Sequence, residues 1–378
     1  MTDQVFSAKM LADDWRDGLF LGRIETAEGP SPILIEAGTI YDMSREAPTT
    51  SQLVADRAFD ASTGTAIGEV ESFAWNEAGK RILSPVDLQC VKASGVTFAV
   101  SAIERVIEER ARGDAATAKD VRLKLEQRIG GGIRGLVPGS PAAMLLKETL
   151  IEEGMWSQYL EVAIGPDAEI FTKSPVLSTV GWGQEVGIRS DSTWNNPEPE
   201  VAVLADRAGV PVGACLGNDV NLRDFEGRSA LLLGKAKDNN ASCAFGPMIR
   251  LFDDTFSMDD VRAAEVDLRI EGADGYVLTG RSSMREISRD PDLLLKQTVS
   301  EHNYPDGFIL LLGTLFAPTE DRDEPGFGFT HKIGDVVTIS SPKLGKLVNA
   351  VTHSPLAPPW TFGITELMQN LVRRGLMQ

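Results

Sequence analysis

The sequence predicts an α+β protein in which a large β body carries a helical insert. Strand-like segments separated by turn residues fill residues 20–41 and most of the chain from residue 158 onward. Helical patterns are concentrated between them, over residues 101–154. The 36 glycines and 20 prolines are spread along the chain rather than clustered, which is typical of many turns in a β-rich fold.

The chain of 378 residues is long for one core, so a division into two domains is expected. Residues 20–41 predict short strands joined by tight turns, whereas residues 42–80 are polar and weakly patterned. We therefore predict a small N-terminal domain over residues 1–85 and a larger domain over residues 86–378.

Three helices are predicted in the insert. The first two span about residues 101–112 and 116–129, and a run of three glycines ends the second. The third has Ser140 as its N-cap, Pro141 at its first position and Gly154 just beyond its end.

After the insert, strands and turns predominate. The segment 159–164 is predicted to be extended, the strands 201–205 and 210–216 are predicted to form a hairpin, and a helix is predicted over 221–235. The remaining predicted elements are a hairpin of strands 266–270 and 276–279, a hairpin of strands 336–340 and 347–352, and a terminal helix over 364–374.

Charge and composition exclude several kinds of partner. The net charge is −18, so no basic surface for nucleic acid is expected, and an anionic membrane would repel the chain. The N-terminus lacks the pattern of a signal peptide, and no apolar run reaches the roughly 20 residues of a membrane helix. The three cysteines have neither redox nor zinc-site spacing, which fits a reducing compartment. We expect a cytoplasmic protein, and an anionic substrate would need a local cation.

The segment WNNPEPE, residues 194–200, is the strongest local signal of chemistry. In an extended segment Glu198 and Glu200 project from the same face, and the neighbouring prolines favour an extended strand edge. The next strand turns back and ends near Asp219, which could join the two glutamates. Converging carboxylates favour a hard cation such as Mg²⁺ or Mn²⁺. The alternative is a solvated glutamate pair, with Asp219 capping the following helix.

A three-histidine zinc site is a poor alternative, because it would need all of His302, His331 and His353. His331 lies in a glycine-rich stretch and is expected to be a solvated loop histidine.

From about residue 90 onward the chain resembles the fumarylacetoacetate hydrolase superfamily, since five motifs of that family occur in order. They are Glu198-Pro-Glu200, Asn218-Asp219-Val-Asn-Leu-Arg223-Asp224, Lys237, Gly313-Thr314, and Gly334-Asp335-Val336-Val337 with residues 345–348. The resemblance implies a mixed β-sandwich roll as the catalytic domain, beside a small N-terminal β domain, in a homodimer or homotetramer. It also implies Mg²⁺ or Mn²⁺ on Glu198, Glu200 and Asp219, with a 2-oxo acid chelated through its carboxylate and keto oxygens.

One segment departs from the hydrolytic members, in which a histidine and a glutamate activate water. The histidine position is Ser101 here, while Glu104 remains, and serine is not a useful base near neutral pH. Long stretches such as GVTFAVSAIERVIEERARGDA and GNDVNLRDFEGRSALLLGKAKDNNAS resemble the 2-keto-3-deoxy-D-pentonate (xylonate or arabinonate) dehydratase branch.

The resemblance to this branch implies loss of water from a small 2-keto-3-deoxy sugar acid, giving 2,5-dioxopentanoate in oxidative pentose breakdown. Two alternatives stay open. One is a C–C hydrolase or decarboxylase of the acylpyruvate or oxaloacetate type, and the other is a non-catalytic sugar-acid-binding protein.

Three residues are expected to transfer protons. Lys237 is the first candidate for the base at C3, because a nearby cation would lower its pKa. Its alternative role is a salt bridge. Glu169 matches a second carboxylate that the family places near the metal, and its alternative is an exposed strand end. Glu104 is a candidate acid or base, or else part of a capping box with Ser101.

Three residues are expected to bind substrate. Arg223 and Thr314 match contacts of the family to the substrate carboxylate, and Ser101 replaces the histidine of the hydrolases. The alternatives are an ion pair between Arg223 and Asp224, and a turn-stabilising hydroxyl on Thr314.

Overall fold

A computed structural model describes residues 5–75, 77, 80–98, 102, 106, 136–152, 154–314, 316, 318, 320–323 and 328–377. Its strands form a large sheet of 11 strands, a second sheet of five and a two-stranded ribbon. With the helices that cover them, these sheets confirm the α+β class that the sequence predicts.

An antiparallel meander occupies the N-terminal part. Its strands are β1 (Leu19–Thr26), β2 (Gly29–Glu36), β3 (Thr39–Asp42), β4 (Thr65–Glu69) and β5 (Ile82–Leu83). Gly38 has a φ of 95° in the turn between β2 and β3, a conformation that favours glycine. β1 also pairs with the strand Cys243–Leu251, so the meander continues into the large sheet. The separate domain over residues 1–85 stays a prediction.

The strands that follow complete all three sheets. In chain order they are β6 (Cys90–Gly95), β7 (Glu169–Ser174), β8 (Glu185–Ile188), β9 (Asn195–Asn196), β10 (Pro199–Ala205), β11 (Pro211–Asp219), β12 (Asn221–Leu222), β13 (Cys243–Leu251), β14 (Glu265–Glu271), β15 (Val277–Ser283), β16 (Phe308–Leu311), β17 (Val336–Ser341) and β18 (Gly345–His353).

The large sheet has the order β4-β3-β2-β1-β13-β11-β10-β16-β6-β7, with β5 beside β1. The pair β16 and β6 is parallel, and the other pairs are antiparallel. The second sheet has the order β15-β14-β17-β18-β8, and β12 pairs with β9. The three hairpins predicted from the sequence are confirmed as β10 with β11, β14 with β15, and β17 with β18.

Eight α-helices lie in the described part of the chain. They are α1 (Thr50–Ala55), α2 (Pro141–Glu152), α3 (Gln158–Ile164), α4 (Arg223–Glu226), α5 (Leu233–Lys237), α6 (Met258–Arg262), α7 (Pro291–Val299) and α8 (Ile364–Arg373). α2 confirms the third predicted helix, since Ala143 N donates to the Ser140 hydroxyl at 3.2 Å and Gly154 has a φ of 66°. α8 confirms the terminal helix. The predicted helices 101–112 and 116–129 fall outside the described residues, apart from residues 102 and 106.

Two predicted elements are wrong. The segment 159–164 is the helix α3 rather than a strand, because the Ser157 hydroxyl caps it and Leu160, Ala163 and Ile164 share one buried helical face. The helix predicted over 221–235 is instead β12, α4, a short 3₁₀ turn and α5. Gly227 ends α4, and the Ser229 hydroxyl, accepting from Leu231 N, begins the 3₁₀ turn.

β10 is buried on both faces. Its odd-numbered residues, Val201, Val203 and Ala205, pack in one core with the five-stranded sheet. Its even-numbered residues, Ala202 and Leu204, pack in a second core that includes residues of the N-terminal meander. Since side chains alternate along a strand, Glu200 belongs to the even-numbered face and lies at the end of this second core. In the described residues, no helix has the length and apolar character needed to cross a bilayer.

Candidate active site

The three predicted metal ligands meet at one end of β10 and β11. Glu200 lies opposite Gly217 in the hairpin, and Asp219 N donates to the Glu198 carbonyl at 3.0 Å. The carboxylates of Glu198, Glu200 and Asp219 each offer an oxygen, and these oxygens lie within 4.8 Å of one another. Within the part of the chain that the structure describes, no other group of three or more His, Cys, Asp or Glu is placed to hold a metal in this way.

All three carboxylates are buried. Their residues are exposed by 4%, 3% and 1% for Glu198, Glu200 and Asp219. This burial excludes the solvated glutamate pair. Asp219 is the last residue of β11, and α4 begins only after Leu222, so Asp219 does not cap that helix.

Like charges crowd around Glu200. Burial, and then the charges of Asp219 and Glu198, raise the pKa of Glu200 well above its usual 4.5. The Gly313 amide donates to Glu200 Oε2 at 2.7 Å and opposes the shift, as does the charge of Lys237. The cluster therefore has an excess of negative charge that the surrounding protein only partly offsets.

Two buried lysines contact the same cluster. The Lys237 ammonium donates to Glu198 Oε2 and lies 3.1 Å from Asp219 Oδ2. The Lys173 ammonium lies 2.9 Å from Asp219 Oδ1. Burial alone would raise the pKa of Asp219, but the two ammonium groups lower it below its usual 3.8.

The predicted fall in the pKa of Lys237 is not found in the protein by itself. Burial favours the neutral amine, but the charges of Asp219 and Glu198 outweigh it and raise the pKa above 10.5. The fall predicted beside a bound cation stays a prediction, because the cation and these carboxylates act on the ammonium in opposite directions.

A cavity of about 410 Å³, part of it open to solvent, lies over the cluster. It is lined by Ser94, Gly95, Val96, Glu169, Phe171, Glu198, Glu200, Asp219, Glu226, Lys237 and Thr314. Five of these residues are acidic, against one lysine on the wall and Lys173 behind it, so the formal charge is −5 + 2 = −3 when all are ionised. Three buried carboxylates without histidine or thiolate are the donor set of Mg²⁺ or Mn²⁺, and the charge excess fits a divalent cation. The ligand roles of the triad stay predictions.

Two more predicted residues lie on the cavity wall. Glu169 begins β7 opposite Gly95, and a Cβ at Gly95 would lie 1.8 Å from Glu169 Oε2, so glycine leaves room for this carboxylate. Thr314 follows β16, and its hydroxyl donates to the Phe316 carbonyl at 3.0 Å while accepting from Phe316 N at 3.1 Å. Thr314 therefore both borders the cavity and stabilises a turn.

Arg223, a predicted substrate contact, is buried. It is not among the residues that line the cavity. Its guanidinium donates to the Pro318 carbonyl at 3.2 Å and lies 5.4 Å from the centre of the Trp194 ring. Asp224 accepts from the Ser192 hydroxyl and the Thr193 amide. A contact of Arg223 with substrate stays a prediction. Ser101 and Glu104 lie outside the described residues.

Sequence reasoning missed two charged residues of the site, Lys173 and Glu226. Glu169, Phe171 and Lys173 alternate along β7, so one face of this strand turns all three toward the cluster. Alternation along this segment was a usable signal for Lys173 as well as for Glu169. Glu226 had no such signal, because its place in the cavity wall depends on how the short helix α4 packs against the strands.

His331 is not a solvated loop histidine. It is buried, and its Nδ1 lies 3.1 Å from Asp335 Oδ2, which also accepts from Arg322. Burial lowers the pKa of His331 below 6.5 despite the neighbouring carboxylate. His331 is part of a buried polar cluster and is not among the residues of the cavity wall.

Two curated relatives of this chain carry the names of dehydratases. It is 31% identical over 201 residues to the "Probable 2-keto-3-deoxyxylonate dehydratase" of Haloferax volcanii, a match that covers 53% of this chain and 66% of the relative. It is 31% identical over 183 residues to the 2-dehydro-3-deoxy-D-arabinonate dehydratase of Saccharolobus solfataricus, covering 48% of this chain and 58% of the relative. Each match spans less than two thirds of the relative's own length.

Solved structures share the fold. One is a 2-keto-3-deoxy-D-arabinonate dehydratase complexed with magnesium and 2,5-dioxopentanoate, 22% identical, with a TM-score of 0.64 over 89% of this chain and 98% of that one. Another is the fumarylacetoacetate hydrolase of Exiguobacterium antarcticum, 17% identical, with a TM-score of 0.58 over 89% of this chain and 99% of that one. The family model for the fumarylacetoacetate hydrolase C-terminal domain matches residues 161–352, a segment that contains the whole carboxylate cluster and both lysines. This chain therefore belongs to the fumarylacetoacetate hydrolase family.

Proposed function

We propose that this protein is a metal-dependent dehydratase that converts a 2-keto-3-deoxy-D-pentonate into 2,5-dioxopentanoate. The observation that carries the proposal is the direct contact of Lys237 with Glu198 and Asp219, inside a cavity that also holds Glu169. A cation-binding cluster, an amine and a further carboxylate around one cavity are the groups that an elimination next to a ketone requires. The names of the two curated relatives support the same reaction.

Glu198, Glu200 and Asp219 would hold Mg²⁺ or Mn²⁺. When bound, the cation would supply a Lewis acid that makes the hydrogens next to the substrate ketone, at C3, more acidic. The Gly313 amide fixes the orientation of Glu200, and Lys237 orients Glu198 and Asp219. These contacts hold the carboxylates in place before any ligand arrives.

Lys237 is the proposed proton acceptor at C3. Its amine must be neutral for this step, and its raised pKa in the protein alone comes from the same carboxylates that bind the cation. A divalent cation held by the same carboxylates would weaken their attraction for the proton on Lys237. The reverse transfer, from the ammonium to carbon, then serves the later tautomerisation.

Glu169 is the proposed proton donor to the C4 hydroxyl, which leaves as water. Glu226 lines the same cavity, and its charge acts on Lys237. The reaction also moves a hydrogen away from C5 as the aldehyde forms, so it needs more than one proton-transfer group. Thr314 is proposed to contact the substrate carboxylate. Arg223, Ser101 and Glu104 keep the roles expected from the family resemblance, as substrate contacts and a further acid or base.

We also propose that the enzyme acts in cytoplasmic pentose breakdown as a homodimer or homotetramer. The support is the resemblance to the family, together with the charge and cysteine content of the sequence. Light scattering of the purified protein gives the native mass and tests the oligomeric state.

The decisive experiment is a substrate panel with and without Mg²⁺, followed by mass spectrometry. Both C4 epimers of 2-keto-3-deoxypentonate, an acylpyruvate and oxaloacetate are each incubated with the protein. A product one water lighter than the C5 acid, lost on chelation, supports the proposal. Cleavage of the acylpyruvate into two acids, or loss of carbon dioxide from oxaloacetate, without dehydration would replace it with a hydrolase or a decarboxylase. Metal-dependent binding without turnover would indicate a sugar-acid-binding protein.

A further inference from the structure

A lysine without a proposed role lies behind the carboxylate cluster. Lys173 has no exposed surface. Its ammonium lies 2.9 Å from Asp219 Oδ1 and donates to the Val220 carbonyl at 3.1 Å and to the Lys237 carbonyl. The ammonium thus forms an ion pair with Asp219 and donates hydrogen bonds to two backbone carbonyls.

Two of these oxygens belong to the elements that carry the proposed chemistry, and the third, from Val220, directly follows β11. Asp219 ends β11, and Lys237 is the last residue of α5. The Ser242 hydroxyl donates to the same Lys237 carbonyl at 2.7 Å and lies 3.5 Å from the Lys173 ammonium. Lys173 and Ser242 therefore tie the end of α5 to the strand that carries Asp219.

We propose that Lys173 is a positioning residue that holds Lys237 in register with Glu198 and Asp219. The inference rests on the proposed function for the role of Lys237 in proton transfer. Lys173 is not on the cavity wall, so it acts on substrate through Lys237 rather than by contact. A displacement of about 1 Å in a reacting group can lower a rate by about 10²-fold, so this tether is sufficient to control turnover.

The tether supports turnover, whereas the positive charge of Lys173 weakens binding of the cation. An ammonium beside Asp219 reduces the negative potential that attracts a divalent ion. Its removal therefore strengthens cation binding while it releases α5. Loss of a metal ligand would instead weaken cation binding, and loss of a residue that only supports the fold would weaken binding and turnover together.

The test compares Lys173→Met with Lys92→Met. Lys92 lies on β6, and its ammonium donates to Thr172 on the opposite face of β7 at 3.0 Å, so the control removes the same charge from the neighbouring strand. The Mn²⁺ dissociation constant of the metal-free protein is measured by electron paramagnetic resonance, and kcat and KM are measured with 2-keto-3-deoxypentonate.

We expect Lys173→Met to lower kcat by about 10²-fold, with KM changed less than about threefold and the Mn²⁺ dissociation constant equal or up to about tenfold lower. Lys92→Met should match the wild type. An unchanged kcat, or a Mn²⁺ dissociation constant that rises with the loss of kcat, overturns the proposal.

Ser242→Ala provides a milder variant of the same tether. It should lower kcat severalfold without weakening Mn²⁺ binding, and the double variant should be no slower than Lys173→Met, because the two residues act on one carbonyl. If Lys173→Met does not fold, the proposal is tested with Ser242→Ala alone. An unchanged kcat in Ser242→Ala then overturns the proposal.

Amide hydrogen exchange separates this inference from the proposed function. Residues 233–242 should exchange at least about tenfold faster in Lys173→Met, and β10 should be unaffected. If the variant exchanges faster but the wild type does not dehydrate the C5 acid, the tether is supported and the proposed function is wrong. Unchanged exchange, in an active dehydratase, removes the tether alone.

Discussion

Replacing Glu200 with glutamine should have opposite effects on stability with and without a divalent cation. The ligand oxygens of the three carboxylates lie within 4.8 Å of one another. At that separation two ionised carboxylates repel by about 3 kcal/mol when the effective dielectric constant is about 20. A neutral amide at this position removes the repulsion, so the metal-free Glu200→Gln variant should gain on the order of 1–3 kcal/mol in folding stability.

The gain should depend on pH. The pKa of Glu200 is raised in the folded state, so its ionisation opposes folding. In metal-free protein this cost begins above the unfolded value of 4.5 and grows as pH rises through the raised folded pKa. The stability difference between Glu200→Gln and the wild type should therefore be small at pH 5 and larger at pH 8.

Addition of Mn²⁺ should make the wild type more stable than Glu200→Gln. At a concentration 100 times its dissociation constant, the cation would stabilise the wild type by about 2.7 kcal/mol, and Glu200→Gln should lose most of that stabilisation together with activity. Thermal unfolding with chelator, and then with Mn²⁺, measures both effects. Glu226→Gln is the matched control, because it neutralises a carboxylate of the same cavity outside the triad.

Two results would refute this reasoning. If Mn²⁺ stabilises Glu200→Gln as strongly as the wild type, Glu200 is not a metal ligand. If the metal-free variant is less stable than the wild type at pH 8, repulsion does not dominate at this position, and the hydrogen bond from Gly313 outweighs it.

Three further predictions concern other parts of the molecule. Gly95→Ala should displace the Glu169 carboxylate, which a Cβ would approach to 1.8 Å, and should lower kcat at least about tenfold with Mn²⁺ binding retained; full activity would show that Glu169 takes no part in the reaction. His331→Gln should make folding stability depend less on pH below pH 6.5. The buried histidine has a lowered pKa, so its protonation favours the unfolded state as pH falls. If urea unfolding gives the variant the same dependence of stability on pH as the wild type, this prediction is wrong. Ser157→Ala removes the cap of α3 and should cost about 1 kcal/mol in the same assay, with turnover unchanged.

Local patterns predicted much of the fold and the centre of the site. Alternation placed Glu198 and Glu200 on one face, and the two strands around the turn at 206–209 indicated the hairpin that brings Asp219 beside them. These features depend on neighbours in the chain and on pairs of consecutive strands, so sequence spacing is enough to predict them.

Other features depended on contacts between distant segments. The segment 159–164 contains apolar residues that fit a strand or a helix, and the shared buried face of Leu160, Ala163 and Ile164 decided for the helix. The ion pair of Lys173 with Asp219 required β7 to approach the end of β11, although the two strands are not neighbours in the sheet.

The sequence by itself determined which residues could bind a hard cation, because residue type and alternation decide that. Only the tertiary structure decided how strongly their charges interact. The burial of three carboxylates among two ammonium groups sets the raised pKa of Glu200 and the raised pKa of Lys237, and burial is a property of packing rather than of spacing along the chain.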